Sequence, residues 1–197
     1  IAEQNMIGTA AGLCDDGYKT IAAAQACFIT MRCFEQVRQF VGYMATNQIL
    51  VGFGSGFSLG MMGNTHYAIE DIALMRIIPN MTVVAPCDAL EAAKAMEAAI
   101  AYGKPIYIRL FGGPGMPIVH NSDIDFEIGK AIQLREGKDV QLIATGSMVH
   151  NALQAADMLE AEGVSASVVD MHTVKPIDES AIGTDFKLIV TIEEHLP

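Results

Sequence analysis

The sequence predicts an α/β fold of two consecutive units, each a mainly parallel sheet flanked by helices. Short runs rich in β-branched residues alternate with alanine-rich helical windows, which is typical of parallel strands joined by helices. Hydrophobic residues make up 51% of the 197 residues, enough to bury a sizeable core. Glycine and proline crowd together at 112–117, where no regular element fits, so we expect the chain to divide there.

The first unit is expected to span residues 1–115. Its predicted strands lie at 20–24, 49–53, 81–85 and 106–110, and its helices run to about residue 13, around 34–44, at 67–75 and at 89–102. The helix at 67–75 stops before Pro79, because a proline disfavours helical backbone in the residue that precedes it. Asp88 is a favourable N-cap for the helix that follows it.

A linker at 116–126 leads to a second unit at 127–197. We expect strands 131–134 and 140–145 to form a hairpin with Gly137 at the turn. A helix at 149–162 and strands at 167–170 and 188–192 follow. Because the chain stops within a few residues of a buried strand, the second unit is expected to be truncated.

Composition narrows the classes of partner. The chain carries 12 basic and 23 acidic residues, and its formal charge of -11 opposes binding to nucleic acid. No apolar run approaches the roughly 20 residues that cross a bilayer, so we predict no membrane segment. The four cysteines contain no CxxC pair, and we interpret them as reduced core thiols of a cytoplasmic protein rather than a disulfide or metal framework.

Four blocks of sequence carry a resemblance to a known family. They are IAEQNMIG at 1–8, FITMRCFEQVR at 28–38, GNTH at 63–66 with ED at 70–71 and RIIPNM at 76–81, and VDMHTVKPID at 169–178. In order and spacing these blocks resemble the transketolase family, over essentially the whole chain. The resemblance implies a thiamine diphosphate-binding fold followed by the family's C-terminal domain.

The resemblance assigns the catalytic carboxylate to Glu3. In the family a glutamate hydrogen-bonds N1′ of the aminopyrimidine of thiamine diphosphate and favours the tautomer that acts as a base. That task suits a carboxyl held protonated, so we expect apolar walls from Ile7, Phe28 and Met31 to raise the pKa of Glu3. A glutamate in a first helical turn is otherwise usually a solvated residue.

Three residues of the second block are expected to contact the cofactor. The resemblance implies that Phe28 stacks on the pyrimidine, with Met31 and Arg32 beside it. Phe28 on an apolar helix is ordinarily a core residue, and Gln25 stands where many relatives have a second aromatic side chain. Both interpretations of Phe28 remain open from sequence.

Substrate binding is assigned to His66, Arg109 and Met62. The resemblance implies that His66 faces the substrate and shares in catalysis, although a structural histidine is the ordinary alternative. Glu70 is spaced to share a metal ion with His66 on a helix, but without further ligands we predict no metal site in this chain. Arg109 is expected either to bind a substrate phosphate or to form a structural ion pair.

Met62 departs from the family, because transketolases commonly carry acidic residues at this place. A methionine cannot accept a strong hydrogen bond from a sugar hydroxyl, so we expect an altered choice of donor sugar.

The resemblance also implies what the chain lacks. The family holds the diphosphate through Mg²⁺ or another divalent ion on a domain with a GDG-type motif, and nothing in this sequence matches that motif. We therefore expect an N-terminal transketolase-like partner subunit or domain, a homo- or hetero-oligomer, and ketol transfer between sugars or sugar phosphates, as in the pentose phosphate pathway. Alternatives are the β-subunit of a 2-oxoacid dehydrogenase, a deoxyxylulose phosphate synthase-like enzyme, and a noncatalytic assembly subunit. Sequence does not decide between a split subunit and a piece of a longer chain.

Overall fold

The computed structural model describes residues 2–113 and 115–196. In chain order the first part contains α1 (Glu3–Asp15), β1 (Thr20–Gln25), a wide π-type turn (Phe28–Arg32), α2 (Phe34–Gln36), a second wide turn (Val37–Tyr43), β2 (Gln48–Phe53), a 3₁₀ turn (Gly60–Met62), α3 (Asp71–Ile77), β3 (Thr82–Val84), α4 (Ala89–Tyr102) and β4 (Ile106–Arg109). The second part contains β5 (Ile132–Arg135), β6 (Val140–Ala144), α5 (Met148–Ala161), β7 (Ala166–Asp170), β8 (Thr173–Lys175), a 3₁₀ turn (Glu179–Ala181) and β9 (Leu188–Ile192).

The first sheet has the strand order β1-β2-β4-β3-β8. Its first four strands are parallel, and β8 adds to β3 in the antiparallel direction. Leu50 packs into the core that contains α1 and α3, whereas its neighbours Ile49 and Val51 pack into the core that contains α4. Because successive strand residues point to opposite faces, this alternation places helices on both faces of the sheet.

The second sheet has the order β5-β7-β6-β9, in which β5 alone is antiparallel. Helix α5 buries Val149, Ala152 and Ala156 against β6 and β7. Two mainly parallel sheets flanked by helices confirm the predicted α/β class. Among the described residues, no helix combines the length and the apolar character needed to cross a bilayer.

Helix α4 begins where its capping residue predicts. The Asp88 side chain accepts a hydrogen bond from the backbone N–H of Glu91 at 2.9 Å. At the other end, Gly103 adopts a left-handed conformation with φ 71°, which glycine does without steric cost. The predicted bounds 89–102 are therefore confirmed.

The predicted hairpin in the second unit is wrong. Strands β5 and β6 do not pair with each other, because β7 lies between them and hydrogen-bonds to both. Gly137 is not a hairpin turn residue: a Cβ at this position would collide with the backbone of Ala166 and Ser167. The glycine therefore marks a close backbone approach to the start of β7.

The helix predicted at 67–75 starts later, at Asp71. Gly56 and Ala68 exchange two backbone hydrogen bonds, of 2.9 Å and 3.1 Å, which hold the preceding segment in an extended bridge. His66 and Glu70 are consequently not paired along one helix face, and the i,i+4 arrangement considered from sequence does not form.

Candidate functional site

A cavity of about 400 Å³ opens beyond the carboxyl end of β1. It lies between the wide turn Phe28–Arg32 and the loop that leads into α3, a usual place for ligands in open α/β sheets. Its lining residues are Cys27, Phe28, Met31, Arg32, Asn64, Thr65, Tyr67, Ile69 and Glu70. Three of the predicted cofactor residues therefore share one cavity wall.

Glu3 is connected to this cavity through Arg32. The Arg32 Nη1 donates to Glu3 Oε2 at 3.0 Å, and the glutamate side chain is only 13% exposed. Glu3 sits in the first turn of α1, where a negative charge also interacts favourably with the helix dipole.

The same guanidinium stacks on Phe28. The Arg32 Cζ lies 4.0 Å from the centroid of the Phe28 ring, a cation–π contact. A planar, nitrogen-rich group thus stands against the phenyl face and donates a hydrogen bond to the carboxylate of Glu3 at the same time. An aminopyrimidine ring that stacked on Phe28 and bonded to Glu3 would need this same pair of contacts, so the residues present fit the pyrimidine of thiamine diphosphate.

The environment of Glu3 differs from the expected one. The pKa of Glu3 is lowered to about 2, because hydrogen bonds to its carboxylate stabilise the charged form. Hydrogen bonds from its own backbone N–H and from Arg32 act in the same direction. Of the three predicted apolar walls, Phe28 and Met31 line the cavity, whereas Ile7 is fully buried in the main core. The expectation of a raised pKa is therefore wrong for this state of the chain.

The imidazole of His66 packs against the Phe28 ring. The two rings meet edge to face, with centroids 5.3 Å apart and planes at 66°. The hydroxyl of Thr65 lies 2.9 Å from His66 Nδ1, which fixes the orientation of the imidazole. The structure thus brings together Glu3, Phe28, Arg32 and His66 from three separate sequence blocks.

Met62 and Arg109 lie apart from this group. Met62 belongs to the 3₁₀ turn Gly60–Met62 and is 49% exposed, outside the residues that line the cavity. Arg109 is 2% exposed, and its Nε donates to Asp71 Oδ2 at 2.9 Å. Its Nη2 donates to the carbonyl of Glu194 at 3.0 Å. Of the two roles left open for Arg109, this geometry favours the structural ion pair, and binding of a phosphate stays a prediction.

Sequence reasoning missed the partners of these residues. Asp71, at 0% exposure, accepts hydrogen bonds from both Arg109 and the Tyr107 hydroxyl, the latter at 2.8 Å. The signal for this network was an acidic residue at the start of a helix whose next four residues are apolar. Sequence spacing could not predict that Arg32 contacts both Glu3 and Phe28, because Glu3 lies on a different element.

Two family models match the chain. The transketolase pyrimidine-binding domain matches residues 1–111, and the transketolase C-terminal domain matches residues 129–197. The chain belongs to the transketolase family.

Individual relatives agree with the family match. An apulose-4-phosphate transketolase subunit of Phocaeicola vulgatus is 39% identical over 199 residues, which cover 99% of this chain and 64% of that protein. A putative transketolase C-terminal section of Methanocaldococcus jannaschii is 40% identical over 196 residues, 99% of this chain and 62% of that protein. A solved structure described as a split gene transketolase, inactive beta4 tetramer, matches with a TM-score of 0.89 and 44% identity, over 99% of this chain and 64% of that one. This transketolase-family chain thus spans less than two thirds of the length of these relatives.

Proposed function

We propose that this chain supplies the pyrimidine-binding half of a thiamine diphosphate site in a two-part transketolase that transfers ketol units between sugars or sugar phosphates. The observation that carries the proposal is the position of the Arg32 guanidinium, which stacks on Phe28 and donates to Glu3 beside a cavity of about 400 Å³. These contacts are the ones that an aminopyrimidine requires.

The roles of the chain's own residues follow from this geometry. Phe28 offers a ring face for stacking, and Met31 adds an apolar wall. Glu3 presents its carboxyl group for a hydrogen bond to a ring nitrogen, once the donors that now bind its carboxylate, Arg32 among them, have withdrawn. When bound, thiamine diphosphate supplies the nucleophilic carbon that attacks the carbonyl of a ketose donor.

His66 is the proposed substrate contact. Since Thr65 engages Nδ1, the Nε2 atom is the nitrogen left to meet an oxygen of the substrate. The imidazole and the Phe28 ring are in edge-to-face contact, so a substrate bound by His66 would lie next to the stacked cofactor.

A partner completes the proposed site. The sequence has no GDG-type motif for the diphosphate and its metal ion, and the chain spans less than two thirds of the relatives that it matches. The split gene transketolase with which it shares 44% identity is described as inactive as a β4 tetramer. These observations support a requirement for a second polypeptide or segment that carries the diphosphate site.

Co-expression with such a partner tests the function. With thiamine diphosphate and Mg²⁺, we expect the complex to move a two-carbon unit from a ketose phosphate to an aldose, and the chain alone to show no turnover. Apulose 4-phosphate is included among the tested donors, because the Phocaeicola vulgatus relative is named as a subunit of an apulose-4-phosphate transketolase. Release of CO₂ from pyruvate without ketose turnover would instead indicate a 2-oxoacid or deoxyxylulose phosphate type of enzyme. A well-assembled complex with neither activity would indicate an assembly subunit.

A further inference from the structure

Four buried side chains with metal-binding atoms meet where the two sheets and the linker come together. They are Cys87 after β3, Glu91 in the first turn of α4, His120 in the linker and Asp170 at the end of β7. One donor atom from each lies within 4.8 Å of the others. Glu91 and Asp170 are 0% exposed, Cys87 is 2% exposed and His120 is 9% exposed.

Four polar atoms of this cluster lack hydrogen-bond partners. Among the described residues, Glu91 Oε1, His120 Nε2 and both carboxylate oxygens of Asp170 are buried without a hydrogen bond. His120 Nε2 lies 3.9 Å from Glu91 Oε1 and 3.8 Å from Asp170 Oδ2, too far for hydrogen bonds. Buried polar groups without partners are costly and rare, so their convergence on one point indicates a missing ligand.

We propose that Cys87, Glu91, His120 and Asp170 bind a structural Zn²⁺ ion that joins the two units of the chain. A thiolate, an imidazole and two carboxylates form a mixed donor set that suits zinc and excludes the oxygen-preferring Mg²⁺ and Ca²⁺. Four protein ligands fill a tetrahedral shell and leave no open position, as in structural zinc sites.

The spacing of the donors is close to what zinc requires. Bond lengths of about 2.0 to 2.3 Å place the donors of a tetrahedral site roughly 3.3 to 3.7 Å apart. The separations of 3.8 and 3.9 Å around His120 need to contract by a few tenths of an ångström, and the widest separation in the cluster, at most 4.8 Å, by about 1 Å. The contacts around Glu91 leave one of its oxygens available: the backbone N–H of Cys87 donates to Glu91 Oε2 at 2.6 Å, which leaves Oε1 for the ion.

The backbone around the cluster is also fixed. The Asp88 carboxylate accepts from the backbone N–H groups of His120 at 2.8 Å and Val119 at 3.0 Å. This contact ties the linker to the start of α4 and places the imidazole beside Glu91. Strand β7 carries Asp170 between β5 and β6, opposite Ile132 and Ala144.

Protons shared within the cluster would provide fewer partners for its buried polar atoms than a bound Zn²⁺ ion would. A proton shared between Glu91 and Asp170, together with the thiol proton of Cys87, would serve the carboxylate oxygens but leave His120 Nε2 without a hydrogen-bond partner. Within the described ranges, Glu91 and Asp170 make no ion pair with a lysine or arginine. Zn²⁺ would coordinate atoms from all four side chains and neutralise two of the three negative charges that the deprotonated ligands carry.

Metal analysis of the 197-residue chain tests the site, independently of any enzymatic activity. After incubation with Zn²⁺ and exhaustive dialysis, we expect about one zinc ion per chain by mass spectrometry of the metal. Chelation of that ion should lower the Tm by about 5 °C or more. Cys87→Ser and His120→Asn should each lose the ion, whereas Cys33→Ser, which removes another buried thiol, should retain it.

Cobalt substitution covers the case in which a variant does not fold. The wild-type chain loaded with Co²⁺ should show the intense visible bands of a tetrahedral site and a thiolate-to-cobalt band in the near ultraviolet. A wild-type chain that retains no zinc and shows no thiolate band would overturn the proposal and indicate a proton-linked or hydrated cluster. Zinc retained by both Cys87→Ser and His120→Asn would overturn it equally.

Discussion

Arg32 contacts both residues on which the proposed cofactor site depends. Its guanidinium covers the Phe28 face at 4.0 Å and bonds to Glu3 at 3.0 Å. A pyrimidine ring must therefore replace one planar cationic group before it gains either contact. The arginine side chain is 42% exposed, so water can take over its hydrogen bonds when it moves.

Glu3→Gln separates the catalytic role of this residue from a structural one. The amide is nearly isosteric but cannot hold the acidic proton, so turnover in the reconstituted complex should fall by about 10² to 10⁴-fold while assembly is unchanged. The measurement is hydrogen–deuterium exchange at the reactive carbon of the cofactor, together with kcat. Glu35→Gln makes the same chemical change in an exposed pair with Arg38 and should be silent. Normal exchange in Glu3→Gln would remove Glu3 from the catalytic role.

Met62→Asp tests the choice of donor sugar. An aspartate restores an acceptor for a sugar hydroxyl, and kcat/KM for ordinary ketose phosphates should rise about tenfold to a hundredfold relative to the native donor. Met61, at 99% exposure, provides the control Met61→Asp, which adds the same charge one residue away. An unchanged ranking of donors in Met62→Asp, or equal effects of the two variants, would contradict a role of Met62 in reading the sugar.

At the scale of elements, the Asp71–Arg109 pair joins helix α3 to strand β4. Both side chains are almost completely buried, and Tyr107 supplies a further hydrogen bond to the carboxylate. Gly52 on the adjacent strand makes room for this tyrosine, because a Cβ there would collide with its hydroxyl. Through the carbonyl of Glu194, Arg109 also reaches the segment after β9.

Removal of Arg109 from its buried pair with Asp71 should lower the free energy of unfolding substantially. Arg109→Met leaves the Asp71 charge buried without its cation, and we expect the free energy of unfolding to fall by about 3 to 5 kcal/mol. Urea denaturation measures this change. Arg38→Met, which breaks an exposed pair with Glu35, should cost less than about 1 kcal/mol. Similar losses of unfolding free energy in Arg109→Met and Arg38→Met would show that the buried pair stabilises the fold no more than an exposed pair does.

Local signals predicted elements well where the cause of the element was itself local. Helix α4 has its bounds set by the Asp88 cap and the Gly103 end, and both are visible in sequence. The strand predicted at 188–192 is likewise confirmed. Errors arose where a distant segment decides the outcome, as at Gly137, whose neighbour is the start of β7. Strand β8 was missed, because only three residues form it and its partner is β3 in the other unit.

In the candidate site, too, the sequence indicated individual residues but not the contacts between distant segments. The sequence blocks indicated Glu3, Phe28 and His66, and these residues do lie around one region of the structure. The blocks did not indicate that Arg32 contacts both Glu3 and Phe28, or that Arg109 is buried. The cluster around His120 was also invisible, since its four members are drawn from residues 87 to 170 and no short motif links them.

At the scale of the whole molecule, the isolated chain should bind its cofactor poorly. It offers surfaces for the pyrimidine but no matched motif for the diphosphate, and Arg32 occupies the stacking face. Calorimetric titration with thiamine diphosphate and Mg²⁺ should show weak binding or none, whereas the complex with the partner should bind tightly. Tight, Mg²⁺-dependent binding to this chain alone would contradict the half-site proposal.

The antiparallel pairing of β8 with β3 affects the order in which a ribosome can finish this protein. Residues 82–84 leave the ribosome before residues 173–175, which form the strand that covers their free edge. Until that point in synthesis, β3 presents unpaired backbone N–H and C=O groups to other nascent chains. A chain that ends between these two strands would therefore expose an unpaired edge of β3, which favours aggregation with other chains.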